Sequence, residues 1–239
     1  MDTFEAIHKR RSIRKFMDVP VPFDSVVQIL QAGMDAPSPG NLHNYKIILV
    51  QDEETIKKIA EAALQQFWIE TAKVVIVICD EPEKIERHYS KRGKELYSIQ
   101  GCAAMAENML LSANALGLAS CWVGAFEEEM VKRTLNIPDN IRVQAIIPIG
   151  YPDEAVPRPQ RPEMDKAIFV ESYGRKFDMD TATGYWSGVM EEKIRKGKKV
   201  VEKKVEKEGK VLRKGFKELS KNIGKKIKEK ISELKVKKK

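Results

Sequence analysis

The sequence holds only three cysteines, Cys79, Cys102 and Cys121, far apart and odd in number. No disulfide framework and no metal-ligand spacing can be read from them. Cys79 and Cys121 adjoin apolar runs and read as core thiols, and the set as a whole points to a reducing cytoplasm. No apolar run approaches the length of a membrane span; Val74 to Cys79 is typical of the longest. The first ten residues are charged and helical in pattern instead of forming an apolar leader core, so no secretion signal is expected.

What the chain does have is ample apolar content, 42% of 239 residues, enough for a core in one or two domains. Its net charge of +8 is unevenly placed. Residues 190–239 carry 21 Lys/Arg against 8 Asp/Glu, an excess of +13, whereas residues 1–189 carry 22 against 27, an excess of −5. A mildly acidic globular part is therefore followed by a strongly basic tail, and the two need separate explanations.

Periodicity within the globular part predicts alternating element types without regular βαβ order. A short helix is expected at about Phe4–His8 and another over Phe23–Met34, with Asp24 as N-cap. Ala36–Asn41 (Ala-Pro-Ser-Pro-Gly-Asn) is a loop by its chemistry. Tyr45–Gln51 reads as a buried strand, Glu53–Phe67 as a helix, and Lys73–Cys79 as a strand covered on both faces because its apolar residues do not alternate. Ile99–Leu118 is the clearest helix, apolar and small on most sides and therefore central, closed by Gly117. Cys121–Phe126 is a strand or loop, Glu127–Leu135 a helix, Val143–Ile149 a strand, and Pro157–Pro162 an extended segment. The fold class expected is α+β.

The most informative stretch is Lys9–Phe16. Arg10, Ser12 and Arg14 lie two apart, so in an extended segment they share one face while Ile13 turns to the core. That face presents two guanidinium forks and a hydroxyl, a donor set that matches phosphate. The bland alternative is a solvated basic turn.

These motifs form an ordered set. Arg10-Arg11-Ser12-Ile13-Arg14, Ala36-Pro37-Ser38-Pro39-Gly40-Asn41, Glu107-Asn108-Met109-Leu110-Leu111-Ser112-Ala113 with Leu116-Gly117-Leu118, Cys121 to Phe126, and Ile147-Pro148-Ile149-Gly150-Tyr151-Pro152 follow one another over residues 1–175. Together they resemble the signatures of FMN-dependent nitroreductases. The resemblance implies an α+β fold, a mixed sheet flanked by helices, in a homodimer with two flavins at its interface. It implies FMN contacts from Arg10, Arg11, Ser12 and Arg14, from Pro37, Ser38 and Asn41 of the partner subunit, from Pro148, Ile149 and Gly150 behind the flavin ring, and from Arg158 or Arg161 at the phosphate. The activity implied is an FMN-dependent, NADH- or NADPH-using reduction of nitro compounds, quinones or related small-molecule acceptors in alternating half-reactions. Reductive dehalogenation, flavin breakdown and a membrane-docked flavin-binding scaffold are the alternatives. A flavin carries the redox chemistry itself, which accounts for a sequence without a catalytic triad, metal cluster or paired carboxylates.

Asn108, Trp122 and Tyr151 have plain alternatives as a satisfied buried amide and two core aromatics. Ser38 and Asn41 have one as turn formers. The chain departs from the family where Q-P-W becomes His43-Asn44-Tyr45 and where Gly101 replaces a common acidic residue. His43 reads as a pH-sensitive donor or, preferred, as a surface residue beside the loop. Arg87–Tyr97 is expected as a short, charged, substrate-covering segment.

Domain limits are expected at 1–176 for the FMN-binding part, 177–189 for an arm on the partner, with Tyr185 and Trp186, and 190–239 for the basic tail. In the tail Ile194, Val205, Phe216 and Ile227 are eleven apart, as are Val201, Leu212, Ile223 and Leu234. This repeat tracks a nearly straight amphipathic helix, although Gly197, Gly209, Gly215 and Gly224 each cost about 0.8–1 kcal/mol relative to alanine. An anionic lipid surface at the inner membrane face is the preferred partner. A helix packing on the body or on another copy is the plain alternative. Nucleic acid fits the charge but lacks aromatic interleaving apart from Phe216.

Overall fold

A computed structural model describes residues 1–176. The expected arm and tail, 177–189 and 190–239, lie outside the described residues. Residues 1–159 form one unit, and the described part of the second runs from Gln160 to Lys176, with a single helical turn, Met164–Ala167, and a Phe169–Lys176 bridge.

The first unit runs α1 (Thr3–Lys9), α2 (Phe23–Met34), β1 (Tyr45–Val50), α3 (Glu53–Ala62), β2 (Val74–Asp80), α4 (Pro82–Arg92), α5 (Ser98–Ala115), β3 (Ala119–Ser120), α6 (Glu128–Leu135) and β4 (Arg142–Gly150). The sheet order is β1-β2-β4-β3, antiparallel at each pairing, and Ser12 adds a parallel bridge to Ser120. Tyr45 pairs with Asp80, Val74 with Ile149 and Asp80 with Arg142; the β2–β4 register shifts by a bulge at Ile78/Cys79.

All seven residues of β2 are buried. Successive side chains of a strand point to opposite faces, so the run feeds two cores. Val75, Val77 and Cys79 pack with Ile56, Ile59 and Val131 of α3 and α6. Val74, Ile76 and Ile78 pack with Ile29 of α2 and with Met105, Met109 and Leu110 of α5. A strand sandwiched in this way loses polar alternation even in an antiparallel sheet. Burial of each such side chain stabilises by roughly 1.5–3 kcal/mol.

Local chemistry sets the element ends. Asp52 caps α3, its carboxylate accepting the Thr55 N–H at 2.8 Å. Gly117 (φ 76°) closes α5, with the Leu118 N–H reaching back to the Ala113 oxygen at 2.9 Å. Four expectations need correction. β1 is not a buried strand: it stands at the edge of the described sheet, and of its residues only Val50 is buried. Asp24 is not the cap of α2: Pro22 holds that position without a side-chain bond, and Asp24 stands in the first turn, where a carboxylate still favours the helix dipole. α3 stops at Ala62, because Leu64 and Gln65 turn left-handed and a separate 3₁₀ turn follows at Phe67–Thr71. Trp122 is 38% exposed, not a core aromatic; Tyr151 packs at the edge of the core.

Candidate functional site

Two clefts collect four of the twelve expected site residues, Pro37 and Ser38 in one and Arg10 and Arg11 in the other. The first, about 390 Å³, has Pro37, Ser38 and Pro39 on one side, Tyr89 and Tyr97 on another, and Gln100, Gly101 and Ala104 of α5 as its floor. The loop that supplies the prolines turns through three left-handed residues, Gly40, Asn41 and His43. Glycine suits position 40: its φ is +55°, and a side chain there would begin 2.6 Å from the Tyr89 Oη, which would have to move. The His43 N–H donates to the Ser38 Oγ at 3.1 Å. The Ser38 hydroxyl proton is therefore free to donate elsewhere.

Nearby, the Tyr45 Oη donates to the Met34 oxygen at 3.1 Å and meets the His43 Nδ1 at 2.9 Å. Having given its own proton to Met34, the phenol accepts from Nδ1. Burial raises the Tyr45 pKa, with Asp35 adding to it. Behind Gly101 lies the Asn44 side chain, fully buried, with neither amide atom bonded among the described residues.

The second cleft, about 270 Å³, is cationic. Lys9, Arg10 and Arg11 line it, with Asn114, Gly117, Ser120, Pro152 and Glu154. It forms where the end of α1 meets the end of α5, joined by the Asn114 Nδ2 donating to the Ala6 oxygen at 2.8 Å. The Arg11 Nη1 donates to the His8 and Arg10 oxygens at 2.8 and 2.7 Å, satisfying carbonyls at the helix end. Its Nε is buried without a partner among the described residues. Arg10 stands 3.6 Å from the Glu107 carboxylate and is about one-fifth exposed.

This donor set fits a doubly charged phosphate such as that of FMN: several cations converge, and one buried guanidinium N–H has no acceptor. Glu154 opposes the fit by its charge, although its carboxylate is engaged by the Arg14 and Lys15 N–H groups.

The expected face of Arg10, Ser12 and Arg14 is only partly realised. The segment is extended, with Ile13 buried and Ser12 bridged to Ser120. The Ser12 hydroxyl lies against the Cys121 thiol, whose pKa burial nevertheless raises. Arg14 does not reach the second cleft; its guanidinium lies over the Trp68 ring, 5.9 Å from the centroid, a favourable cation–π placement.

Pro148, Ile149 and Gly150 lie on β4 and line neither cleft. Ile149 is fully buried, and a side chain on Gly150 would begin 3.0 Å from Phe16, so Phe16 accounts for that glycine. Asn41 and Arg158 are exposed, and Arg161 belongs to the second unit. The Asn108 Nδ2 donates to the Ala32 oxygen at 3.0 Å, a satisfied amide tying α5 to α2.

Tyr89, Tyr97, Gln100 and Ala104 carry no individual site signal in the sequence. The tyrosines fall in the segment expected to cover substrate. Gln100, Gly101 and Ala104 share one face of α5 at helical spacing, a signal hidden because α5 is small and apolar nearly all round.

The nitroreductase family model matches residues 7–73 and 64–151. A protein of Archaeoglobus fulgidus bearing the name NADH dehydrogenase/NAD(P)H nitroreductase is 36% identical over 157 residues, 64% of this chain and 87% of its own length. The solved NADPH:FMN oxidoreductase of Vibrio harveyi, complexed with NAD+, superposes with a TM-score of 0.65 at 26% identity, covering 79% of this chain and 84% of its own. An NADH dehydrogenase/NAD(P)H nitroreductase of Parabacteroides distasonis superposes with a TM-score of 0.63 at 27% identity, over 72% and 98%. The chain belongs to the nitroreductase family.

Proposed function

We propose that the protein is an FMN-dependent NAD(P)H oxidoreductase that reduces nitro compounds, quinones or related small electrophiles in alternating half-reactions. The enzyme class and its cofactors, FMN with NADH or NADPH, come with membership of the family. The observation that carries the finer reading is the division of the site. The cations lie in one cleft and the Pro37–Ser38 loop in another, and no residue lines both. A homodimer resolves the division by setting the cationic cleft of one copy against the loop of the other. The outer faces of α1, α2 and α5 support that arrangement, since Phe4, Ile7, Phe23, Val27, Met34, Ile99 and Leu116 are exposed there.

In this reading Arg10, Arg11 and Ser12 bind the phosphate end, with Arg158 as a further cation. Pro37, Ser38 and Asn41 of the other copy close the site, the Ser38 hydroxyl donating. Pro148, Ile149 and Gly150, which line neither cleft, stiffen from behind the Ala119–Ser120 strand that lines the cationic one. Bound FMN supplies the hydride and electron chemistry. The protein's part is to bind, orient and exclude water.

Three buried thiols suit a reducing, cytoplasmic setting. Among the described residues no helix is long and apolar enough to cross a membrane. The tail is proposed to meet an anionic membrane surface on the strength of its sequence. The direct test is whether the purified protein is yellow and whether NADH or NADPH bleaches it anaerobically. A colourless protein that takes up no FMN would overturn the reading.

A further inference from the structure

A nearly continuous helical run leads from Pro82 to Ala115, and it is faulted twice. The first fault is Ser90, with φ 53° and ψ −154°, a conformation that residues other than glycine avoid. The second is the π turn Gly93–Tyr97, in which the Ser98 N–H reaches the Gly93 oxygen. Each fault adjoins one tyrosine of the first cleft: Tyr89 precedes Ser90, and Tyr97 ends the π turn. In an unfaulted helix, side chains eight residues apart are separated by about 12 Å along the axis. Here the two rings meet edge to face with centroids 5.6 Å apart.

The π turn is held from outside. Its Lys94 oxygen accepts the Ser98 Oγ at 2.9 Å and the Arg142 Nη2 at 2.9 Å. Arg142 is in turn anchored on fully buried Asp80, Nε to Oδ1 at 3.2 Å and Nη2 to Oδ2 at 2.7 Å, with the Gln144 Nε2 on Oδ1 at 2.7 Å. Asp80 would be neutralised by the fork alone. The additional bond to Lys94 carries the core's rigidity into the cleft wall.

We propose that Arg142, anchored on Asp80, is a positioning residue for the first cleft: by holding the Lys94 carbonyl it keeps the π turn in place and so sets Tyr97 against Tyr89 as the cleft's aromatic wall. The proposal rests on the reading of this cleft as part of the flavin and acceptor site. The strain at Ser90 and the unusual turn are then costs of shaping that wall.

The test is Arg142→Lys in the full-length holoenzyme. Lysine keeps a cation on Asp80, but its side chain is shorter and carries one nitrogen, so an ammonium seated on Asp80 is expected to fall short of the Lys94 oxygen. FMN content and the rate with ferricyanide, a small non-aromatic oxidant, should stay near wild type. KM for menadione, a flat aromatic oxidant, should rise about five- to tenfold, which corresponds to about 1–1.4 kcal/mol. Amide exchange over residues 93–98 should accelerate at least tenfold, and the NMR contact between the Tyr89 and Tyr97 rings should weaken. Tyr97→Leu should raise the same KM, and the double variant should add nothing further.

Unchanged exchange at 93–98, an intact ring contact, equal losses for both oxidants, or additive effects in the double variant would each overturn the proposal. If Arg142→Lys does not fold, Asp80→Asn with Arg142→Met removes both charges together and carries the same expectations. If the wild-type protein reduces neither oxidant, the proposed activity fails, whereas exchange and ring contact still decide whether Arg142 holds the wall.

Discussion

Arg10 and Arg11 are neighbours in one basic motif, yet their surroundings divide their work. Arg11 spends two hydrogen bonds on the end of α1 and retains one buried N–H without an acceptor. Arg10 faces the second cleft with the Glu107 carboxylate 3.6 Å away. Arg10→Ala should therefore remove a charged hydrogen bond to phosphate worth about 1.5–3 kcal/mol, weakening FMN by about one to two decades. It also leaves Glu107 uncompensated beside the site, which acts in the same direction. Riboflavin, which lacks the phosphate, should lose much less. Fluorescence titration of both flavins checks this, and equal losses would place Arg10 away from the phosphate. The cysteines are a contrast at the same scale. Burial raises Cys79 and Cys102 to about 12, so neither thiol is a nucleophile at neutral pH.

Among the elements, α3 is the one whose start depends most visibly on a single titratable group. The Asp52 carboxylate caps it, and its pKa is lowered chiefly by the Thr55 hydroxyl and then by the Thr55 N–H. A group whose folded pKa lies below its unfolded value contributes stability above the unfolded pKa and loses it as pH falls through the folded pKa. Asp52→Ala should therefore lower Tm at pH 7 and make little difference once both states are protonated in acid. Asp52→Asn keeps a competent cap and should flatten that part of the pH dependence. Melting curves of the three proteins between pH 7 and pH 2 are the check. A gap between wild type and Asp52→Ala that persists undiminished in acid would rule out the charged cap as its source.

At the level of the whole molecule, the proposed shared site would couple assembly to flavin. If the Pro37–Ser38 loop of one copy completes the cationic cleft of the other, FMN binds the dimer and stabilises it by mass action. Sedimentation and flavin fluorescence on a dilution series should show both signals falling together. A dilute monomer with undiminished FMN affinity would exclude the shared site. The tail is a separate matter, because its excess charge of +13 opposes the −5 of the rest. Truncation after Ser187 should leave FMN content and reoxidation of the dithionite-reduced flavin nearly unchanged. Full-length protein should bind vesicles rich in anionic lipid and release them as salt rises, since exposed charges are screened over about 8–10 Å at physiological strength. Full-length protein that stays free of such vesicles at low salt would remove the lipid partner. A truncated protein that loses its dimer would point to packing of the tail on the body or on another copy.

The sequence by itself determined most of the elements and the family. Helical spacing in Phe23–Met34 and Ile99–Leu118, the unbroken apolar run of β2, the proline loop and Gly117 are local signals, and local signals are set by neighbours three or four residues away. It also singled out the motifs proposed to bear function, because Lys9–Phe16 and Ala36–Asn41 state their donor and turn chemistry within a few residues. Only the tertiary structure decided which of these meet. Arg14 turns to Trp68, 54 positions along the chain; Gly150 is accounted for by Phe16; and Arg142 reaches Asp80 and Lys94 from β4. No periodicity encodes such pairings, since they depend on strand register and on where separate helices come to rest. The aromatic wall of the first cleft is the extreme case. Tyr89 and Tyr97 converge because a π turn and a left-handed serine interrupt one helix, and the bond that holds that turn comes from the first residue of β4.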